Sequence, residues 1–186
     1  MNYIKIVLLM SIIAPLVQGH VYAKDYSLEI NKSAHTLKIM DGNKVVKQYR
    51  CSLGRGGSGE KRFGGDNKTP VGTYIIVAMN SITQFHFFMH LSYPNVEDAR
   101  RGLESGLINK KQYESIKNAQ LKNEIPPSDT ALGGYVGIHG LKNGLGWVGV
   151  LHRFMDWTKG CIAVTNEEID EIKNYCKIGT VVVIKE

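Results

Sequence analysis

Short apolar runs separated by glycine and asparagine turns dominate the sequence after about residue 25, and this pattern limits the chain to a mainly β fold. Strands are predicted over residues 28–30, 36–40, 44–53, 73–79, 84–92, 132–140 and 180–185. A sheet built from so many short strands supplies the core, and no repeat or linker divides the chain into further units.

Two helical regions accompany the strands. Residues 96–122 form the main one, because its apolar residues recur three and four positions apart. A glycine and an asparagine in residues 106–109 are expected to split it into two short helices. A T-x-x-E capping box at Thr165 begins another predicted helix that continues to residue 175. The expected fold is therefore α+β, mainly β, with a helical insertion.

The first 23 residues are predicted to be a signal peptide. Lys5 precedes an uncharged stretch at residues 6–17, and Ala23 ends a V-Y-A sequence of the kind that signal peptidase cleaves. The apolar stretch has only about half of the ~20 residues that span a bilayer, so an uncleaved anchor is the weaker alternative. We expect an exported, periplasmic protein in which residues 24–186 form a single domain without a membrane span.

Composition narrows the possible partners. The 186 residues carry a formal net charge of +6, which suits an anionic cell surface or nucleic acid. No cluster of basic residues and no recognition-helix pattern accompanies that charge, so nucleic acid is not an expected partner.

Two patterns suggest a cofactor or a metal but are better explained otherwise. Residues 54–59 read G-R-G-G-S-G, yet Pro70 follows where a dinucleotide-binding site needs a helix. His86 and His90 share a face of one predicted strand, but at ~3.3 Å per residue they lie roughly 13 Å apart. One metal ion cannot join two histidines over that distance. No cofactor and no metal is expected.

The chain has three cysteines, and one of them differs from the other two. Cys51 shares a predicted strand face with Val45 and Tyr49, and Cys176 lies on the apolar face of the last helix. In an oxidising compartment these two are expected to stay as buried thiols or to pair with each other. Cys161 follows a glycine just before a helix and fits no core pattern, although a structural disulfide at Cys161 is an alternative.

Cys161 is the candidate nucleophile and His139 the candidate base. A nucleophilic cysteine needs a base or a positive charge to form its thiolate. Gly160 allows backbone amides to approach a reacting carbonyl, as an oxyanion hole requires. His139 ends a predicted strand beside Gly140, from which its side chain can face a cleft. The two residues are far apart in sequence, so the spacing alone is a weak indication.

Around these two residues, residues 138–140 read I-H-G, and residues 157–164 read W-T-K-G-C-I-A-V. These motifs resemble the L,D-transpeptidase catalytic domain, the YkuD-like family. Residues 65–72, G-D-N-K-T-P-V-G, are similar to the family turn G-D-x-x-T-P-x-G. The resemblance extends from residue 26 to residue 184. The family commonly has Arg two positions after the nucleophile, where this chain has Ala163, and in this respect the chain is similar to a YafK-like subgroup.

The resemblance implies a mixed β-sheet sandwich and an enzyme that acts on peptidoglycan stem peptides. Cys161 would form a thioester, His139 would move the protons, and the amides of Gly160 and Cys161 would bind the oxyanion. The Gly140 carbonyl would fix the imidazole tautomer. Five residues are expected to contact substrate: Trp157, Thr158, Lys159, Ala163 and Tyr93. The cation that the family Arg supplies would come instead from His152, Arg153 or Arg55.

Several alternatives remain open at this point. The acyl acceptor would be a second stem peptide, a lysine of a wall-linked lipoprotein, a D-amino acid or water. With water the protein would be an L,D-carboxypeptidase, and a peptidoglycan–lipoprotein hydrolase is a related possibility. A wall-binding module without activity is the alternative from another class. A papain-like peptidase is disfavoured, because His139 precedes Cys161 in sequence.

Overall fold

The computed structural model describes residues 25–186, so the predicted signal peptide at residues 1–23 lies outside the described residues. The strands are β1 (Tyr26–Asn31), β2 (Thr36–Asp41), β3 (Lys44–Arg50), β4 (Gly72–Asn80), β5 (Phe88–Leu91), β6 (Gly137–His139), β7 (Ile162–Ala163) and β8 (Val181–Lys185). The α-helices are α1 (Val96–Glu104), α2 (Lys110–Leu121) and α3 (Asn166–Ile172). Within residues 25–186, none of the helices is long and apolar enough to cross a membrane.

The strands form one mixed sheet of eight in the order β3-β2-β1-β8-β4-β5-β6-β7. The β1–β8 and β6–β7 pairs are parallel, and the other pairs are antiparallel. The two ends of the sheet meet, because Ser52, just after β3, exchanges both backbone hydrogen bonds with Ala163 of β7 at 2.9 Å. The sheet thus curls around its core, and the mixed, mainly β fold is confirmed.

Alternating side chains of the strands fill the interior of the curled sheet. In β1 and β2, Leu28, Ile30, Leu37 and Ile39 have no exposed surface. The central strands contribute further buried residues to the same cluster: Tyr74, Ile76, Met89, Ile138, Ile162, Val182 and Ile184. Helix α3 covers this cluster through Ile169 and Ile172, as its apolar spacing predicts.

The predicted helical insertion is confirmed as the two helices α1 and α2. Each begins with an asparagine capping box, at Asn95 and Asn109, in which the side chain and the third helical residue satisfy each other's backbone N–H groups. A small apolar cluster packs beneath the insertion: Ala99, Ile108, Ile116 and Leu132. Thr165 caps α3 in the same way, which confirms the T-x-x-E prediction.

Three details differ from the predictions. A bulge opposite Ile39 and Met40 breaks the alternation of β3, so Val45 is 45% exposed instead of sharing the buried face of Tyr49 and Cys51. Strands β5 and β6 are shorter than predicted, because residues around them bond to loops; the His86 N–H, for example, donates to the Leu141 carbonyl. Residues 146–154, for which the sequence predicts no helix or strand, form two 3-10 turns that meet at Gly149.

Candidate active site

A cavity of about 550 Å³ lies beside β5 and β6, and both His139 and Cys161 line it. Trp157, Thr158 and Lys159 from the segment before the cysteine line it as well. Five of the residues that the sequence selects therefore lie around one cavity, although the chain separates His139 from the rest.

The parallel pairing of β6 with β7 places the cysteine near the histidine. His139 lies opposite Ala163, and Ile138 lies opposite Ile162, so Cys161 falls on the same face as His139 and diagonal to it. The position next to His139 on that face is Gly137, where a Cβ would lie 2.3 Å from the Phe88 ring. A glycine is therefore needed there for Phe88 to pack beside the histidine.

The environment of His139 makes it a neutral base. Its Nδ1 lies 2.6 Å from the carbonyl oxygen of Gly140. A carbonyl can only accept, so Nδ1 carries the hydrogen and Nε2 keeps its lone pair. The ring stacks on Phe85 with centroids 3.8 Å apart, and the edge of Trp157 approaches it at 5.8 Å. Burial lowers the pKa of His139 to about 4, so the ring is uncharged at neutral pH.

The Cys161 thiol is likewise uncharged at neutral pH. Its sulfur lies 3.5 Å from the Tyr135 carbonyl oxygen, to which the thiol donates. Burial raises the pKa of Cys161 to about 11, against the opposing effects of the Gly137 backbone and Lys61. Tyr135 has φ +55, a left-handed conformation that is rare for an aromatic residue and common at functional sites. The resting pair is therefore a thiol beside a neutral imidazole.

Thr158 and Gly160 shape the turn that carries Cys161. The Thr158 hydroxyl donates to the Cys161 carbonyl at 2.7 Å and accepts the Gly160 N–H at 3.1 Å. Gly160 has φ +127, and a Cβ there would lie 2.7 Å from the Lys68 carbonyl oxygen. The Gly160 amide, expected from the resemblance to bind the oxyanion, is thus occupied by Thr158. The Cys161 amide is the other candidate of that pair.

The G-D-x-x-T-P-x-G segment holds a buried cation behind this turn. The Asp66 carboxylate accepts the backbone N–H groups of Arg62 at 2.8 Å and Lys68 at 3.0 Å. It also pairs with the Lys61 ammonium at 2.6 Å, with both side chains almost fully buried. Lys61 Nζ lies 4.0 Å from the place that a Cβ of Gly160 would occupy. Sequence reasoning found the motif but missed Lys61, because a lysine in a glycine-rich loop looks solvent-exposed.

The structure does not bring Ala163 and Tyr93 to the cavity. Ala163 has no exposed surface and uses its backbone to pair with Ser52. Tyr93 is buried, and its hydroxyl donates to the Leu132 carbonyl at 3.1 Å. These positions leave neither side chain a direct contact with a molecule in the cavity.

The cations at the cavity also differ from the expectation. His152 bonds to Ser52, Arg153 pairs with Glu168, and Arg55 lies outside the set of lining residues. Lys142 and Lys159 are the cations among the lining residues of the described chain. Lys142 follows the I-H-G motif closely, and this proximity is the signal that could have identified it.

The remaining walls of the cavity come from residues that the sequence did not single out for this role: Thr83, Gln84, Phe85, Phe88, His90, Gly134, Tyr135 and Val136. Of the two histidines considered as a metal pair, His90 lines the cavity, whereas His86 bonds to Asp170 at 2.7 Å. Among residues 25–186, no group of three His, Cys, Asp or Glu side chains is placed to hold a metal ion. Over the same residues all three cysteines are free thiols, with Cys51 buried and Cys176 half-buried.

The fold of this chain is similar to that of several solved structures. The helical cell shape determining protein Pgp2 from Campylobacter jejuni is 21% identical with a TM-score of 0.58, over 87% of this chain and 47% of that one. Bd1075 from Bdellovibrio bacteriovorus is 19% identical with a TM-score of 0.55, over 87% of this chain and 48% of its own. An L,D-transpeptidase from Mycobacterium smegmatis is 12% identical with a TM-score of 0.50, over 87% and 59%.

The present chain spans about half the length of the first two of these structures. No curated protein matches it significantly by sequence. These comparisons do not distinguish the YafK-like subgroup from the rest of the family. The family model of the L,D-transpeptidase catalytic domain, YkuD, matches residues 25–184, and the chain therefore belongs to that family.

Proposed function

We propose that this protein is a cysteine-dependent L,D-transpeptidase of peptidoglycan. One observation carries the proposal: a thiol and a neutral histidine, whose Nε2 is available as an acceptor, line the same cavity in a chain of this family. Residues 1–23 have the pattern of a signal peptide, so we also propose that the enzyme works in the periplasm.

In the first half-reaction, the sulfur of Cys161 attacks the carbonyl at the L-centre of a diamino acid that is joined to D-Ala. His139 Nε2 takes the thiol proton as the sulfur–carbon bond forms. The Cys161 amide faces the developing oxyanion. His139 then returns the proton to the amine of D-Ala as the carbon–nitrogen bond breaks, so that D-Ala leaves and a thioester remains on Cys161.

In the second half-reaction, an amine of another stem peptide attacks the thioester. His139 accepts a proton from that amine and returns it to the sulfur, which leaves as the thiol. A lipoprotein lysine or a D-amino acid would react in the same way. Water in place of the amine would make the protein an L,D-carboxypeptidase.

Binding of the donor is assigned to the rim of the cavity. Lys142 and Lys159 are exposed there and carry the positive charge that a carboxylate of the stem peptide requires. Trp157 contributes an apolar wall beside His139. Thr158 acts as a positioning residue, since its hydroxyl donates to the Cys161 carbonyl and accepts the Gly160 N–H within the turn that carries the cysteine.

The direct test follows D-Ala release from a purified tetrapeptide muropeptide and maps the acyl adduct by mass spectrometry of the digested protein. We expect D-Ala release, an adduct on Cys161 and a cross-linked dimer. Cys161→Ala should abolish all three, whereas Cys176→Ala, which removes a thiol outside the cavity, should retain them.

Each alternative gives a distinct result in this assay. D-Ala release without a dimer, and with a free tripeptide, indicates a carboxypeptidase and overturns the transfer step. Binding of the muropeptide without release or adduct, in protein whose far-UV circular dichroism shows it folded, indicates a wall-binding module without activity. Full activity of Cys161→Ala would overturn the nucleophile.

A further inference from the structure

His90 is a titratable side chain of the catalytic cavity that the mechanism above does not use. It lies on β5, two residues after Phe88, and lines the cavity together with Tyr135. Its ring packs against both neighbours, with centroids 4.4 Å from the ring of Phe88 and 6.0 Å from that of Tyr135. His86, with which a metal pair was considered, bonds to Asp170 outside the cavity, so the chemistry of His90 depends on the cavity itself.

The sheet places His90 in one row with the nucleophile. His90 is paired with Gly137 across β5 and β6, and the register of β6 with β7 places Cys161 opposite Gly137 on its other side. Paired residues point to the same face of a sheet, and neighbouring strands are ~4.8 Å apart, so the Cα atoms of His90 and Cys161 are roughly 10 Å apart. Gly137 carries no side chain, and the imidazole and the thiol therefore flank the same stretch of the cavity.

The chemistry of the reaction decides which half of the donor lies in this row. The leaving amine has to reach His139 Nε2, and His139 lies one row further along β6, toward Lys142. The D-Ala half therefore extends toward Lys142, whose ammonium suits a carboxylate. The acyl half, which stays on the sulfur, extends the other way, where Gly134, Tyr135 and His90 line the cavity.

The imidazole of His90 offers one nitrogen to this half of the cavity. Its Nδ1 is buried and has no hydrogen-bond partner among the described residues. Nε2 likewise bonds to none of residues 25–186 but is not buried, so it is the nitrogen that a molecule in the cavity reaches. Burial lowers the pKa of His90, which keeps the ring neutral. A buried N–H without an acceptor is rarer than a buried lone pair, so the hydrogen is placed on Nε2.

We propose that His90 is a substrate-binding residue of the donor site, whose Nε2–H donates to an oxygen of the acyl half beside Cys161. This assignment rests on the proposed transpeptidase reaction, which sets the direction of the donor. Two oxygens of the acyl half suit the row: the peptide carbonyl that precedes the diamino acid, and a carboxylate on the side chain of the diamino acid. His139 has the opposite tautomer and cannot replace His90, because its Nε2 is an acceptor.

Two variants separate the hydrogen bond from the shape of the site. The amide nitrogen of His90→Gln can take the place of Nε2 and donate, whereas His90→Leu has no donor. We expect His90→Leu to lower kcat/KM for D-Ala release from a tetrapeptide muropeptide about fivefold, the value of one net hydrogen bond, and His90→Gln to recover most of it. Iodoacetamide does not need this hydrogen bond, so both variants should be alkylated at Cys161 as fast as the unmodified protein.

His86→Leu is the matched control, because it changes the same residue type just before β5 but outside the lining of the cavity. It should leave D-Ala release unchanged. Equal losses in His90→Leu and His90→Gln, or an alkylation rate that falls in proportion to the loss, would overturn the hydrogen bond as the cause. Full activity of His90→Leu would overturn the role of His90 altogether.

Binding to Cys161→Ala protein tests the contact without turnover. In histidine-labelled protein, NMR should show the Nε2–H tautomer of His90 and a shift of its Nε2 resonance when the muropeptide is added. A shift of His139 without one of His90 would overturn the proposal. If the unmodified protein releases no D-Ala but the His90 shift occurs, the transpeptidase proposal fails and the binding role of His90 stands. If the muropeptide does not bind, both proposals fail.

Two muropeptides distinguish the two oxygens. One with lysine as its diamino acid lacks the side-chain carboxylate that diaminopimelate carries. The affinity of each is measured in Cys161→Ala protein, with and without His90→Leu. A loss of affinity for both peptides assigns the hydrogen bond to the peptide carbonyl. A loss for the diaminopimelate peptide alone assigns it to the side-chain carboxylate and makes His90 a specificity-determining residue; a loss for neither overturns the proposal.

Discussion

The two sides of Trp157, the catalytic flank around Cys161 and the flank formed by residues 146–154, differ in how well their polar groups are paired and their apolar groups are buried. On the catalytic flank, the Asp66 carboxylate accepts hydrogen bonds from backbone N–H groups and from the ammonium of buried Lys61. The Thr158 hydroxyl both donates and accepts a hydrogen bond within the turn of Cys161. Gly160 has no room for a Cβ. On the other flank, residues 146–154 expose large apolar side chains, and His152 Nε2 makes no hydrogen bond to any of residues 25–186.

This contrast in hydrogen bonding and packing shows that the chain's own interactions fix the geometry of one flank and not of the other. Contacts that leave no spare room hold the turn of Cys161 in one geometry without any ligand, as a preorganised site requires. The exposed apolar side chains of residues 146–154 gain little from folding, because water still covers them. These side chains therefore do little to hold the fold together.

The largest effect is expected for the pH dependence of Cys161 on the catalytic flank. The pKa of the thiol is about 11, so the thiolate fraction should grow with every unit up to that pH. Alkylation by iodoacetamide should therefore speed up about tenfold per unit, or about a thousandfold from pH 7 to pH 10. Mass spectrometry of the modified peptide gives the rate.

The protonation state of His139 determines which result would contradict this prediction. With a pKa of about 4, His139 is neutral above that pH and supplies no cation to stabilise a thiolate. A rate that is already at its plateau near pH 7 would mean that the resting site is an imidazolium–thiolate pair. The alkylation rate of Cys176, whose pKa burial raises to about 12, provides the reference within the same protein.

The next largest effect compares Gly160 on the catalytic flank with Gly144, which lies just before residues 146–154. Gly160→Ala should lower D-Ala release by at least about a hundredfold, because its Cβ would meet the Lys68 carbonyl at 2.7 Å and move the nucleophile. Gly144→Ala has a positive φ of 84 but open space around the new Cβ, so it should cost only about 1 kcal/mol of unfolding free energy. Equal losses of activity in the two variants would remove the distinction between the flanks.

The catalytic flank is also the part that the sequence predicts best. His139 and Cys161 follow from short motifs, because a strand end and a glycine turn are local structures that the sequence determines directly. Lys61, Tyr135 and Lys142 do not follow, since their places in the site depend on how distant loops pack. The Gly160 amide was assigned to the oxyanion, but a hydroxyl two residues away takes it.

In the fold too, local features follow from the sequence, whereas features that depend on pairing between distant segments do not. The pairs β1–β2 and α1–α2 follow from local periodicity and capping residues. The exposed Val45 does not, since the bulge that turns it outward lies in the pairing of β3 with β2. The turns at residues 146–154 were missed because their apolar residues face solvent and so give no buried periodicity.

A smaller effect is expected from Lys61. Lys61→Gln removes the buried cation behind the cysteine turn, which should raise the pKa of Cys161 and slow alkylation at a fixed pH, by a smaller factor than the glycine substitution does. The unpaired Asp66 should also lower stability, so the alkylation rate is compared under conditions where circular dichroism shows the variant folded. Lys61→Arg, which keeps the charge, should recover part of the rate.

A matched control separates electrostatics from the loss of a buried ion pair. Lys32 is also a buried lysine in an ion pair, with Glu186, but it is not among the groups that shift the pKa of Cys161. Lys32→Gln should therefore destabilise the protein without slowing alkylation. Equal slowing in both variants would show that Lys61 acts only through stability.

The smallest effect is expected on the opposite flank. Trp147 is 80% exposed and Phe154 82% exposed, so replacing both by serine removes little buried surface. The free energy of unfolding should change by no more than about 0.5 kcal/mol in urea denaturation, and D-Ala release should stay the same. A loss of more than about 2 kcal/mol, of the size that a buried side chain gives, would show that the fold itself needs these residues. An unchanged stability would show that folding gains nothing from this exposed apolar surface, in contrast to the close contacts on the catalytic flank.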